Sequence, residues 1–332
     1  MSQRSGRRPM RIRPGLPLAA RALRARRIRI ALTVLLSLGA TAVTAVTVRH
    51  YTTHSWPLAG ANSWLVAATG VLFLLAFVLK GVGWRRLLAR ENRPGSHALA
   101  AANAAASVTG LALPGRFDDL VRIAVARRFS SRAGLGALCL SLVLVGLIDS
   151  AALAPIASVA AGLAEVSTIV QVGLAVVGAA GIAAAAVVLA LPRASRSSRL
   201  ARFRFARWIG GHTTPAGEST RAWAIVSCSW LVRALALYLL LGALGVGHSF
   251  PLALLFLSAS AGAAVLPLGP AGAATQAGAG AAVLAVAGVP TGEAVAFGLA
   301  AQALLVLAGA AVVLMASAWE ARLRLAAVRA TI

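Results

Sequence analysis

The sequence predicts an all-α, polytopic transmembrane helical bundle, and three observations carry that prediction. Hydrophobic residues make up 59% of the 332 and charged residues only 12%, against about 45–50% and about 25% in soluble globular chains. The apolar residues fall in long runs, several reaching the ~20 residues that a helix needs to cross the hydrocarbon layer at 1.5 Å per residue. The cations, 32 Lys+Arg against 8 Asp+Glu, cluster between those runs. Disorder, a collagen repeat and a disulfide scaffold are excluded by the same composition. A formal net charge of +24 would point to nucleic acid in a soluble chain. Beside apolar runs it sets topology and meets anionic headgroups instead, so no nucleic-acid partner is expected.

The elements follow in order. Residues 1–29 carry ten Arg and no acid, which reads as a basic cytoplasmic tail. Residues 30–48 carry no charge. This run is longer than a signal-peptide core, and no small-residue cleavage site precedes Arg49, so an uncleaved first span is expected. Further spans are expected over 64–83, 134–157, 167–191, 222–246 and 294–318, giving six. The transmembrane domain is then 30–318, with a basic cytoplasmic loop over 192–221 between its halves and a cytoplasmic tail over 319–332.

Two regions fit less well. Residues 97–113 are short, rich in Ala and small polar residues, and flanked by Arg. Residues 251–290 are apolar but broken by Pro267, Gly269, Pro270 and Gly272. With the N-terminus cytoplasmic, 30 of the 32 basic residues fall on the cytoplasmic side if each of these regions enters and returns on one face. Two re-entrant elements are therefore expected. Two separate short spans over 251–290 satisfy the charges equally, but irregular backbone at membrane depth is tolerated only inside protein or along a cavity. Leu113-Pro114-Gly115 and Leu266-Pro267-Leu268-Gly269-Pro270 would enter from opposite faces, a pattern that points to inverted halves with a midplane site.

Residues 113–122 read Leu-Pro-Gly-Arg-Phe-Asp-Asp-Leu-Val-Arg. Pro114-Gly115 stops one helix, and Asp118 or Asp119 opens the next near its positive end. Arg122 follows at the spacings that allow pairing with either acid, and Arg127 and Arg128 come one to two turns later. A capped, salt-bridged surface helix is the plainer alternative.

On these residues the chain resembles the lysylphosphatidylglycerol synthase transmembrane region, a family of flippase-like integral membrane proteins. The family's Pro-Gly-Arg, acid and Arg pattern is met by Pro114, Gly115, Arg116, Asp118, Asp119 and Arg122. A span containing an acid follows, here with Asp149, and a Pro/Gly-rich break comes late, here Leu266 to Gly272. Asp119 stands where relatives more often have Glu, Gln276 where many have an acid, and Gln302 near where many have Arg. The resemblance implies a module that moves a lipid, or presents one, between leaflets. Full-length synthases also carry a cytosolic aminoacyl-transfer domain. Only thirteen residues follow Trp319, so this chain is not expected to be an enzyme.

Two charges stand deep in expected spans, Asp149 in 134–157 and Arg233 in 222–246. A lone ion there costs at least ~2.5–3.5 kcal/mol on insertion scales. Pairing Asp149 with Arg233 is the economical expectation, either as a static lock or with Arg233 holding an anionic phosphate in transit. His50 and His54, four apart in the first outer loop, lack an acid or Cys neighbour and read as a solvated loop rather than a metal pair. Cys139 and Cys228 show no ligand spacing. The loop from Arg193 to Arg221 interleaves Arg with Phe203, Phe205 and Trp208, which suits an anionic lipid surface. No phosphate-binding loop, nucleophile set or zinc spacing is present, so neither an ATP-driven pump nor a cofactor is expected.

The expected function is a lipid translocase or lipid-exposing module in the cell membrane, acting on an anionic or lipid-linked substrate. Arg116, Asp118, Asp119 and Arg122 would shape its cytoplasmic mouth, Asp149 and Arg233 would stand at depth, and the break at 266–272, with Gln276 and Gln302, would form the opposing half-site. The alternative is a non-transporting subunit that anchors a glycosyltransferase or other envelope enzyme.

Overall fold

The computed structural model describes residues 56–89, 93–110, 117–129, 134–163, 167–195, 208, 210, 215–265 and 272–330. The basic tail, the expected first span at 30–48, most of the loop 192–221, and Pro114, Gly115, Arg116, Pro267, Gly269 and Pro270 lie outside these residues.

The regular elements among the described residues are all helices, and no strand occurs among them. The helices are α1 (Ser63–Arg86), α2 (Ser96–Thr109), α3 (Phe117–Phe129), α4 (Leu135–Leu163), α5 (Thr168–Ser195), α6 (Ala216–Ala243), α7 (Phe250–Val265), α8 (Gly272–Val286) and α9 (Thr291–Ala330). Five of them are long and apolar enough to cross a membrane: α1, α4, α5, α6 and α9. They coincide with five of the six expected spans, and α9 continues as helix through Ala330.

Short helices stand where the two awkward regions were expected: α2, followed by α3, at the first, and α7 and α8 at the second. α2, α7 and α8 have 14, 16 and 15 residues, rises of only ~21–24 Å against a hydrocarbon core of ~30 Å. Asn62 opens α1, its side chain accepting from the N–H groups of Trp64 and Leu65. α2 begins beside the end of α1 that carries Arg85 and Arg86, and α3 returns to that end, where the Phe129 ring meets His97 edge-on at 6.4 Å. The second hairpin opens to the other end: Tyr238, late in α6, meets His248 and Phe250. α7 and α8 run antiparallel, with the Ser260 hydroxyl donating to the Gln276 carbonyl at 2.9 Å and Gly280 pressed against Phe256.

α1 and α6 form the central pair and are antiparallel along their whole length. The Asn62 N–H donates to the Ala243 carbonyl at 3.1 Å, Thr69 donates to the Ala236 carbonyl at 3.2 Å, and Ser229 donates to the Ala76 carbonyl at 2.9 Å. At the far end Arg86 reaches Glu218 at 3.4 Å. Hydroxyls bonding to carbonyls of the facing helix require close backbone approach, which Ala and Gly at the contact allow.

A pseudo-two-fold relation organises the rest. Adding 153 to a residue number in the first half reaches its counterpart in the second, as Leu113-Pro114 and Leu266-Pro267 show. Under that shift Ala76 and Ser229 exchange, and the Thr69–Ala236 pair maps onto Ala222 and Gly83, whose backbones lie so close that a Cβ on Gly83 would meet the Ala222 carbonyl at 3.4 Å. The halves interlock reciprocally: α2 packs on α9 as α7 packs on α4, and α1 packs on α9 as α6 packs on α4. Because α1 and α6 are antiparallel, the repeat is inverted. α5 packs on α4 outside this arrangement.

Candidate functional site

Asp149 stands fifteen residues into α4, and its partner is not Arg233 as expected but Lys80. The Lys80 Nζ lies 2.7 Å from Asp149 Oδ2, with side chains only 12% and 20% exposed. The other carboxylate oxygen accepts from the Trp230 indole N–H at 3.0 Å. Trp230 also presents its ring to both cations, Lys80 at 5.9 Å and Arg233 at 5.2 Å from the centroid.

Lys80 opens a basic run in the sequence, where it counts as a cytoplasmic flank. Helical side chains lean toward the N-terminus of their helix. On α1 that direction points away from the Arg85–Arg86 end and into the bundle, so the ammonium is carried inward to Asp149. The signal available in sequence was its singularity, since Lys80 is the only lysine among 32 basic residues.

Arg233 lies over the Phe77 ring at 5.5 Å as well as over Trp230. Its Nε is buried without a hydrogen-bond partner among the described residues. Its side chain lines a cleft of about 430 Å³, open side included, between α1, α6, α7, α8 and α9. Gln276, Gln302 and Ser260 line the same cleft, with Phe73, Leu237 and Phe256 among its apolar walls. Three of the sequence-derived candidates, Arg233, Gln276 and Gln302, are thus brought to one space, while Asp149 is bonded to Lys80 and Trp230 and acts on Arg233 only through its charge.

The acids after the first break behave as their spacing predicts. Arg122 Nη1 meets Asp119 Oδ1 at 2.8 Å and Arg122 Nη2 meets Asp118 Oδ2 at 3.2 Å. Arg122 Nε is buried without a partner among the described residues, and its charge acts on both Lys80 and Arg233. The α3 end of the first hairpin therefore brings a third cation, itself paired to two acids, within electrostatic reach of Lys80 and Arg233. A separate cluster ties the Arg-rich end of the bundle: Glu218 accepts from Arg86, Arg93 and Arg221, each at 3.4 Å. The Arg93 Nε donates to the Leu88 carbonyl at 2.7 Å, which fixes the connection into α2. Gly272 opens α8 beside Gln276.

Together these groups make a set of paired and half-paired charges at the junction of two interrupted hairpins, with apolar walls around it. A site of this kind can hold an anion whose attached chain is apolar. Comparison with curated proteins and with solved structures finds no match. A family model does match, over residues 30–312, and its description is the lysylphosphatidylglycerol synthase TM region. This chain belongs to that family of membrane regions.

Proposed function

We propose that this protein handles a lipid with an anionic or lipid-linked headgroup, moving it between leaflets or exposing it, without a chemical step of its own. The observation that carries this is the cleft that Arg233 lines together with Gln276 and Gln302 amid aromatic and aliphatic walls. Charge at membrane depth is expensive unless it serves a pathway or a partner. Arg233 has ring faces but no acid bound to it among the described residues. The two short-helix hairpins, opening to opposite ends, supply the interrupted backbone that transporters use to build midplane sites. The proposed setting is the cell membrane, with the Arg-rich end of the bundle and both termini cytoplasmic.

Reconstitution in liposomes with headgroup-labelled phosphatidylglycerol tests the proposal. Movement of label between leaflets at a rate above protein-free liposomes is expected, with loss in Arg233→Gln. Absence of movement for every anionic lipid, together with a tightly bound glycosyltransferase recovered on purification, would replace transport by the anchoring role.

A further inference from the structure

We propose that Arg233 and Gln302 form an anion half-site, in which a phosphate group of the ligand takes the place that the Asp149 carboxylate holds in the other half. This rests on the lipid-handling reading only for the source of the phosphate.

The repeat itself carries the inference. Lys80 and Arg233 are 153 residues apart, and so are Asp149 and Gln302, and Phe77 and Trp230. The structure respects these pairings. Lys80 over the Trp230 ring at 5.9 Å is the counterpart of Arg233 over the Phe77 ring at 5.5 Å. The Lys80–Asp149 ion pair at 2.7 Å has as its counterpart Arg233 and Gln302, which line one cleft. In the first half the carboxylate receives an ammonium and the Trp230 N–H. In the second half the carboxylate is replaced by a neutral amide, and Phe77 has no N–H to give.

The result is a cation with no acid bonded to it among the described residues. Lys80 is bonded to an acid within the protein, whereas the Arg233 Nε is buried with no hydrogen-bond partner among the described residues. No acid lines the cleft among the described residues. A guanidinium matches the oxygens of a phosphate in a bidentate arrangement, and the Gln302 amide can donate to the same group where a carboxylate would repel it. Phe73, Leu237 and Phe256 make the neighbouring wall of the cleft apolar.

The test is to restore the missing acid. The full chain is purified in detergent as wild type, Gln302→Glu, Gln302→Met and Arg233→Gln, and titrated with fluorescent phosphatidylglycerol and, separately, with inorganic phosphate. Gln302→Glu pairs Arg233 internally and is expected to weaken binding by roughly tenfold to a hundredfold, the worth of a charge-assisted hydrogen bond. Arg233→Gln should do the same. Gln302→Met removes one neutral hydrogen bond to the phosphate but adds no competing acid, so it should weaken binding by only about twofold to tenfold, less than Gln302→Glu. Binding of the lipid alone assigns the phosphate to a headgroup, and binding of inorganic phosphate assigns it to the free ion. The half-site is overturned if the wild type binds neither probe. It is equally overturned if a folded Gln302→Glu binds like the wild type, or if Gln302→Glu and Gln302→Met lose binding alike. Lipid movement in liposomes is measured in parallel. A wild type that binds but moves no lipid removes transport and leaves the half-site. Movement with Gln302→Glu binding unchanged does the reverse.

Discussion

Lys80 and Asp149 form an ion pair of 2.7 Å between α1 and α4, closed on its second oxygen by the Trp230 indole of α6. Three helices from both halves are thus joined at one carboxylate, next to an arginine that has no such partner among the described residues. The pair and the lone cation are related by the inverted repeat.

Breaking the pair should cost more than removing it. Asp149→Asn leaves the Lys80 ammonium buried against α6, and one-sided removal of a buried partner costs about 3–5 kcal/mol. Replacing both groups, as in Lys80→Met with Asp149→Leu, should recover at least half of that. Thermal unfolding of the purified protein in detergent, run as a double-mutant cycle, measures the difference; additive losses would mean that the two side chains do not interact.

Trp230→Phe separates the indole's two roles, because it keeps the ring beneath Lys80 and Arg233 but removes the N–H given to Asp149. A hydrogen bond to a charged group contributes about 1.5–3 kcal/mol, so a loss in that range is expected from the same melts. A variant as stable as wild type would mean that the carboxylate finds another donor.

Two glycines of α1 should respond in opposite ways. A Cβ on Gly81 would stand 2.6 Å from the Ala100 backbone nitrogen and 2.8 Å from the Ser96 carbonyl oxygen, whereas one on Gly70 would meet nothing within 4 Å. Gly81→Ala must push α2 away from α1 and should destabilise by about 1–3 kcal/mol. Gly70→Ala should be neutral or stabilising by up to ~1 kcal/mol, from helix propensity alone. Melting temperatures of the two variants decide it.

Accessibility mapping tests the proposed orientation. In a chain carrying Cys139→Ser and Cys228→Ser, Arg128→Cys at the end of α3 should react with a membrane-impermeant maleimide only after the cells are opened. Ala59→Cys, in the turn before α1, should react in intact cells. Labelling of Arg128→Cys from outside would place the first hairpin as a full crossing and overturn the re-entrant element.

Polarity patterning along the chain determined much of this protein. Runs such as 222–246 and 294–318 must be helices in lipid, since no other structure satisfies their backbone there. The division of 251–290 into two short helices, α7 and α8, and the Arg122 pairing with Asp118 and Asp119, were legible because both are set within a few residues of chain. The charge partners at depth were decided only by the tertiary structure. Asp149 and Arg233 have opposite signs and comparable positions in their spans, yet the lean of side chains on α1 delivers Lys80 to Asp149, and Arg233 lines a cleft that Gln302 shares. Which of two cations reaches an acid depends on helix direction and rotation, and neither is written in the spacing of charges along one strand of sequence.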